Sequence, residues 1–140
     1  RSLQKQGKTM SKMTLGALCT VLALAISNPV IAQSKAQDID QQQLLVDRFE
    51  AQPMQLLDVR SSEEYQQGHI KGAVNISFDV ISEHTAQLDK ERPIVVYCRS
   101  GRRAGIAIET LQQLGFTKLY HLDGDMIGWS EKDLPVITQP

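Results

Sequence analysis

The residues best suited to chemistry are Cys98-Arg99-Ser100-Gly101-Arg102-Arg103. They follow the apolar run Ile94-Val95-Val96-Tyr97 and open a helical pattern from Ala104 to Leu114. A strand that ends in a cysteine, turns tightly and starts a helix leaves several backbone N–H groups without intrahelical partners around one concavity. The helix N-terminus adds partial positive charge, and three arginines add full charges. A thiol placed there loses its proton readily, because its anion is stabilised from several sides. The expected chemistry is attack by a thiolate held in an anion cradle. An inert cysteine buried at a strand end is the competing reading and the commoner fate of a free thiol. The glycine, the clustered charge and the strand–turn–helix context together favour the nucleophile.

The elements that position this loop follow from patterning. Asp38 or Asp40 can cap a helix through Leu44, Leu45 and Phe49. Gln55 to Val59 reads as a strand, with Asp58 and Arg60 at its end. Ser61 and Glu64 have capping-box spacing for a short helix carrying Tyr65, which Gly68 ends. Val74-Asn75-Ile76 is a short strand, and 79–88 reads as a modest helix with Val80, Ile81 and Leu88 inward. Pro93 suits a strand start. Ile94 to Tyr97 is unbroken, apolar and β-branched, as a central parallel strand buried on both faces should be. Ala104, Ile106, Ala107, Ile108, Leu111 and Leu114 give the next helix an apolar face, and Gly115 stops it. Lys118 to Leu122 is another strand, Asp123-Gly124-Asp125 a turn, and Met126 to Trp129 a short helix. Alternating strands and helices specify an α/β domain with a mostly parallel central sheet and helices on both faces. Sites in such sheets lie beyond the carboxyl ends of the strands.

Composition bounds the context. The chain has 140 residues and a net charge of -1. Residues 1–32 carry four basic groups and no acid, whereas the remainder carries eleven basic and sixteen acidic groups. A mildly acidic body argues against nucleic acid as partner. Met13 to Ala32 is free of charge, is preceded by Lys12, and ends in Val30-Ile31-Ala32. This has the form of a secretory signal peptide cleaved after Ala32, with Met10 or Met13 as the initiator. An uncleaved anchor is the rival, but Asn28-Pro29 interrupts the span. Leu18 before Cys19 does not suit lipoprotein processing, and no Arg-Arg pair precedes the apolar run. The expected organisation is a leader (1–32), a polar tether (33–40) and one domain (41–140), exported, with the periplasm as its compartment and no membrane span in the mature chain. Cys98 is then the sole cysteine. His69, His84 and His121 are scattered, so no metal site is expected.

Four stretches resemble the rhodanese (thiosulfate sulfurtransferase-like) family. They are Leu57-Asp58-Val59-Arg60 with Glu64-Tyr65, then Gly68-His69-Ile70-Lys71-Gly72-Ala73 with Asn75, then the loop from Cys98 to Arg103, then Leu122 to Trp129 with Leu134-Pro135-Val136. The likeness covers nearly all of 40–138 and is closest to small, exported, single-domain bacterial members. One departure stands out: Gly124-Asp125 where the family often has two glycines, which brings a negative charge towards the cradle. The resemblance implies that Cys98 takes the outer sulfur of thiosulfate, expels sulfite and passes the sulfur on from a persulfide. The acceptor would be cyanide in an assay, a small thiol, or a protein. The N–H groups of 99–103 would stabilise the persulfide, Gly101 would allow close approach, and Arg99 and Arg102 would attract the donor. Ser100 and Arg103 complete the expected substrate-binding loop, with Arg103 able to point back into the structure instead. Asp58 and Arg60 are supporting candidates, each with an ordinary alternative as a turn former or a surface ion pair. His69 is read as structural, Trp129 as core or rim, and His84 and His121 as without a partner pattern. No cofactor is implied.

Three rivals remain. A phosphatase or arsenate reductase also uses a cysteine in an anion loop, but phosphatase loops place five residues between cysteine and arginine, and here four separate Cys98 from Arg103. A non-enzymatic binding module would lack the cysteine. A persulfide carrier for one protein partner uses the same residues.

Overall fold

The computed structural model describes residues 35–47 and 54–138. The expected leader, Met10 and Met13 lie outside them, as does Phe49. Five parallel strands form one sheet: β1 (Gln37–Ile39), β2 (Gln55–Asp58), β3 (Ala73–Asn75), β4 (Ile94–Tyr97) and β5 (Leu119–Leu122), ordered β1-β5-β4-β2-β3. Among the described residues four α-helices accompany them: α1 (Gln41–Asp47), α2 (Ser62–Gln67), α3 (Arg102–Gln113) and α4 (Asp125–Glu131).

The period-two geometry of β4 divides the core. All four of its residues are buried. Ile94 and Val96, followed by Cys98, face the side covered by Ala104, Ala107, Ile108 and Leu111 of α3. Val95 and Tyr97 face the side filled by Leu44 of α1, Ile70, and Met126 and Trp129 of α4. The sheet is covered on both faces, as the sequence implies. Ser61 caps α2 with the expected reciprocal bonds to Glu64, and Asp40 receives the Gln42 N–H at 2.7 Å at the start of α1.

Three expectations are corrected. Residues 37–39, inside the expected tether, form the edge strand β1 against β5. Residues 79–88 are not an α-helix. Two 3-10 turns, Ile81–Glu83 and Thr85–Gln87, replace it, with Ile81 buried and Val80 exposed. With so few inward apolar side chains, nothing rewards the ordering of a longer helix. In α3 the buried stripe is narrower than expected, because Ile106 and Leu114 stand exposed.

This topology places the site. The chain leaves β2 towards β3 on one side and leaves β4 towards β5 on the other, so the order reverses between β2 and β4. Ligands of open α/β sheets bind outside the carboxyl ends at such a reversal. Arg60 and Cys98 emerge from those two ends.

Candidate active site

Cys98 is 1% exposed. Burial alone suits an inert core thiol, but the local bonding does not. The Gly101 N–H donates to Cys98 Sγ at 3.0 Å. Gly101 is the N-cap of α3 at φ 106, a left-handed conformation that glycine adopts without penalty. The N–H groups of Arg102, Arg103 and Ala104 come next and have no intrahelical acceptor by position. The sulfur therefore sits against the positive end of a twelve-residue helix.

The loop is strapped to α4. Met126 N–H donates to the Cys98 carbonyl and Ile127 N–H to the Arg99 carbonyl, both at 3.1 Å. In return the Cys98 N–H donates to Asp125 Oδ1 at 2.8 Å. The first-turn donors of α4 thus find acceptors in the loop rather than in water. Gly124 and Asp125 both have positive φ, 77° and 51°. For Asp125 that conformation costs about 1–2 kcal/mol relative to glycine.

The other candidates divide. Arg99, Ser100 and Arg102 are exposed, and the two arginines have no ion-pair partner among the described residues. Arg103 is held by Glu64 through two bonds, at 2.6 and 2.9 Å. That pairing holds the Glu64 carboxyl down at about 2. Asp58 and Arg60 form a buried pair at 2.6 Å. Arg60 also donates to the Gly68 carbonyl at 2.8 Å, so Asp58 orients Arg60 rather than the cysteine loop. Asn75 donates to the Asp58 and Arg60 carbonyls, each at 3.0 Å, and fixes the chain as it leaves β2. Arg60, Glu64 and Arg99 line a cleft of about 730 Å³ beside the loop, with Met126, Ile127 and Val136 on its apolar side.

Behind the loop, His121 Nε2 lies 2.9 Å from Asp125 Oδ2 and its Nδ1 lies 3.0 Å from Asp38 Oδ1. These carboxylates, opposed in part by burial, push His121 up to about 9.

The family model for the rhodanese-like domain matches residues 41–132. The chain belongs to the rhodanese-like family. It is 36% identical over 87 residues to the thiosulfate sulfurtransferase GlpE of Shewanella oneidensis, a match covering 62% of this chain and 86% of that protein. It is 31% identical over 101 residues to a sulfurtransferase of Allochromatium vinosum, covering 72% and 94%. The crystal structure of a rhodanese-related protein from Thermoplasma volcanium superposes with a TM-score of 0.65 at 28% identity, covering 74% of this chain and 99% of that one. This rhodanese-like domain is therefore related to bacterial sulfurtransferases.

Within the rhodanese-like domain, the structure brings Arg60 and Arg99 to one cleft, sets Gly101 between the Cys98 sulfur and a second cavity behind the loop, and holds Arg103 on Glu64. His69 is buried, donates through Nδ1 to the Tyr65 carbonyl at 2.8 Å, and stacks on the Tyr65 ring. Trp129 is core, its indole N–H on the Pro135 carbonyl at 3.0 Å. His84 is exposed. His121, expected to be without a partner pattern, has two partners. Its spacing of four from Asp125 was the available signal, but the two residues lie on different elements, where that spacing carries no standing meaning. Among the described residues, no helix is long and apolar enough to cross a membrane.

Proposed function

We propose that this protein moves the outer sulfur of thiosulfate to a thiophilic acceptor through a persulfide on Cys98. The observation that carries the reading is the Gly101 N–H on Cys98 Sγ at the start of α3. A sulfur in that position is a good acceptor when it bears negative charge, as a thiolate or a terminal persulfide does. The Cys98 thiolate attacks the outer sulfur of thiosulfate. The bond from that sulfur to the sulfonate breaks, and sulfite leaves with the electron pair. The enzyme now holds Cys98–S–S⁻, whose charge faces the helix N-terminus. Cyanide or a thiolate attacks the outer persulfide sulfur, leaves as thiocyanate or a new persulfide, and returns Cys98 to its thiolate. Arg99 and Arg102 draw in the dianionic donor. Arg103, engaged by Glu64, fixes α2 against α3 instead.

The cleft is far larger than thiosulfate. Ile127 and Val136 on its wall are 41% and 46% exposed. That favours a larger thiol as the cellular acceptor, including a cysteine carried by a protein. We also propose that residues 1–32 direct export to the periplasm, on the charge-free run and its flanks alone.

The test is intact-mass spectrometry of the purified protein before and after thiosulfate. A gain of one sulfur atom, removed by cyanide and absent from Cys98→Ser, is the expected result. No gain in a folded protein with a reduced Cys98 removes thiosulfate as donor. Hydrolysis of phosphate esters with thiosulfate ignored would replace the reading with oxyanion chemistry.

A further inference from the structure

The sulfur-transfer steps leave one buried carboxylate and its partners without a role. Asp125 is 2% exposed, and its carboxylate lies directly behind the nucleophile. A buried carboxylate is costly unless it is paired and hydrogen-bonded. Here Oδ1 takes the N–H of Cys98 itself and Oδ2 faces His121. The other nitrogen of His121 faces Asp38. A neutral imidazole has one N–H to donate, whereas the imidazolium has two. Both contacts are hydrogen bonds from the ring at once only when the ring is charged, and the buried carboxylate of Asp125 is the one with little access to water.

The cluster is fitted to the loop. A side chain at Gly101 would place its Cβ 3.2 Å from Asp125 Oδ2 and 3.7 Å from the His121 ring. The same glycine donates its N–H to the Cys98 sulfur. Gly101 thus separates the sulfur from the carboxylate–imidazole pair by a single backbone thickness. The groups facing His121 are Asp125 from α4 and Asp38 from β1. Lys35, just before β1, and Glu109 of α3 line the same cavity of about 340 Å³.

We propose that Asp125 and His121 form a charge-neutral positioning pair for the nucleophile: the imidazolium cancels the Asp125 carboxylate, so that this carboxylate can grip the Cys98 N–H without repelling the negative sulfur beside it. The inference rests on Cys98 being the nucleophile of the reaction above, but its test reads the sulfur directly and needs no thiosulfate. The pair differs from the arginine pairs on the cleft side in being titratable.

In the folded protein at neutral pH, His121 should carry protons on both ring nitrogens, as read by nitrogen-detected NMR of the imidazole. Its titration midpoint should lie near 9. A singly protonated His121 at neutral pH overturns the proposal, and this measurement needs no variant. The second measurement is the pH profile of Cys98 alkylation by iodoacetamide. His121→Gln leaves Asp125 as a bare negative charge behind the sulfur. Alkylation on the acid side of the profile should slow about tenfold, equivalent to a shift of about one pH unit in the midpoint. Adding Asp125→Asn removes that charge while keeping an acceptor for the Cys98 N–H, and should restore the profile to within about twofold of the wild type. A His121→Gln profile that matches the wild type overturns the proposal, as does a slow profile that Asp125→Asn fails to rescue. Failure of thiosulfate to load Cys98, with the alkylation shift and rescue intact, would fault the donor and not the pair.

Discussion

The two flanks of the cysteine loop solve the same electrostatic problem with different cations. On the cleft side, carboxylates are matched by arginine: Asp58 with Arg60 and Glu64 with Arg103. Behind the loop, Asp125 and Asp38 are matched by one histidine. Guanidinium stays charged at any pH a protein survives, and its planar fork fixes direction as well as charge. Imidazolium does neither so firmly. The cleft side is therefore a permanent frame, and the rear a pairing that exists only while His121 is protonated. Permanence lies along the cleft; titration lies against the main chain of Cys98.

The largest effect should come from breaking the frame at its buried end. Asp58→Ala strands the Arg60 guanidinium, which is almost wholly buried, and should lower stability by about 3–5 kcal/mol in urea denaturation. Adding Arg60→Met should recover part of that loss, since the penalty is the unpaired charge and not the missing contact. If the double variant is no more stable than Asp58→Ala, the pair matters for its shape alone.

A pH series of melting temperatures separates the flanks next. Glu64, held at about 2 against an ordinary 4.5, stabilises fully above pH 4.5, and its contribution is lost as pH falls through 2. His121, raised to about 9 from 6.5, stabilises fully below pH 6.5, and its contribution is lost as pH rises through 9. The acid decline should flatten in Glu64→Gln and the alkaline decline in the His121→Gln, Asp125→Asn double variant. An alkaline decline that persists in the double variant would assign it to another group. At neutral pH, Glu64→Gln itself should cost about 1 kcal/mol or less, because that pair is partly solvated. Smallest is Arg102→Ala, expected to raise the apparent KM for thiosulfate a few-fold at low salt with kcat kept, and to lose that effect at high salt. A change confined to kcat would place Arg102 on the reacting atoms instead.

Much of this was legible in the chain. The strand–cysteine–turn–helix succession, the buried β4 and the capping box at Ser61 all rest on local patterns, and local patterns survive folding. What escaped was long-range or locally weak. Gln37-Asp38-Ile39 has one buried position, so no alternation announces β1. The 79–88 segment has apolar residues at helical spacing, but only Ile81 is buried among the residues that form its two 3-10 turns. The partner of Arg103 lies thirty-nine residues away. Asp125 was visible as a departure from the family's glycine, and its charge suggested a weaker anion site. The turn from β5 into α4 gives that charge its counterpart in His121, and the placement of β1 beside β5 brings Asp38 to the other ring nitrogen.

The pairing also constrains the order in which such a site can be assembled by mutation. An aspartate introduced at 125 before a histidine stood at 121 would put a strained backbone and a bare buried charge behind Cys98 at once, whereas a histidine at 121 beside a glycine at 125 is a partly exposed side chain with Asp38 for company. The histidine is the permissive step and the aspartate the dependent one. Once both are present, reverting the histidine alone is the harmful path. The same asymmetry gives a practical rule for transplanting the loop into another scaffold: an aspartate at 125 travels only with the histidine at 121.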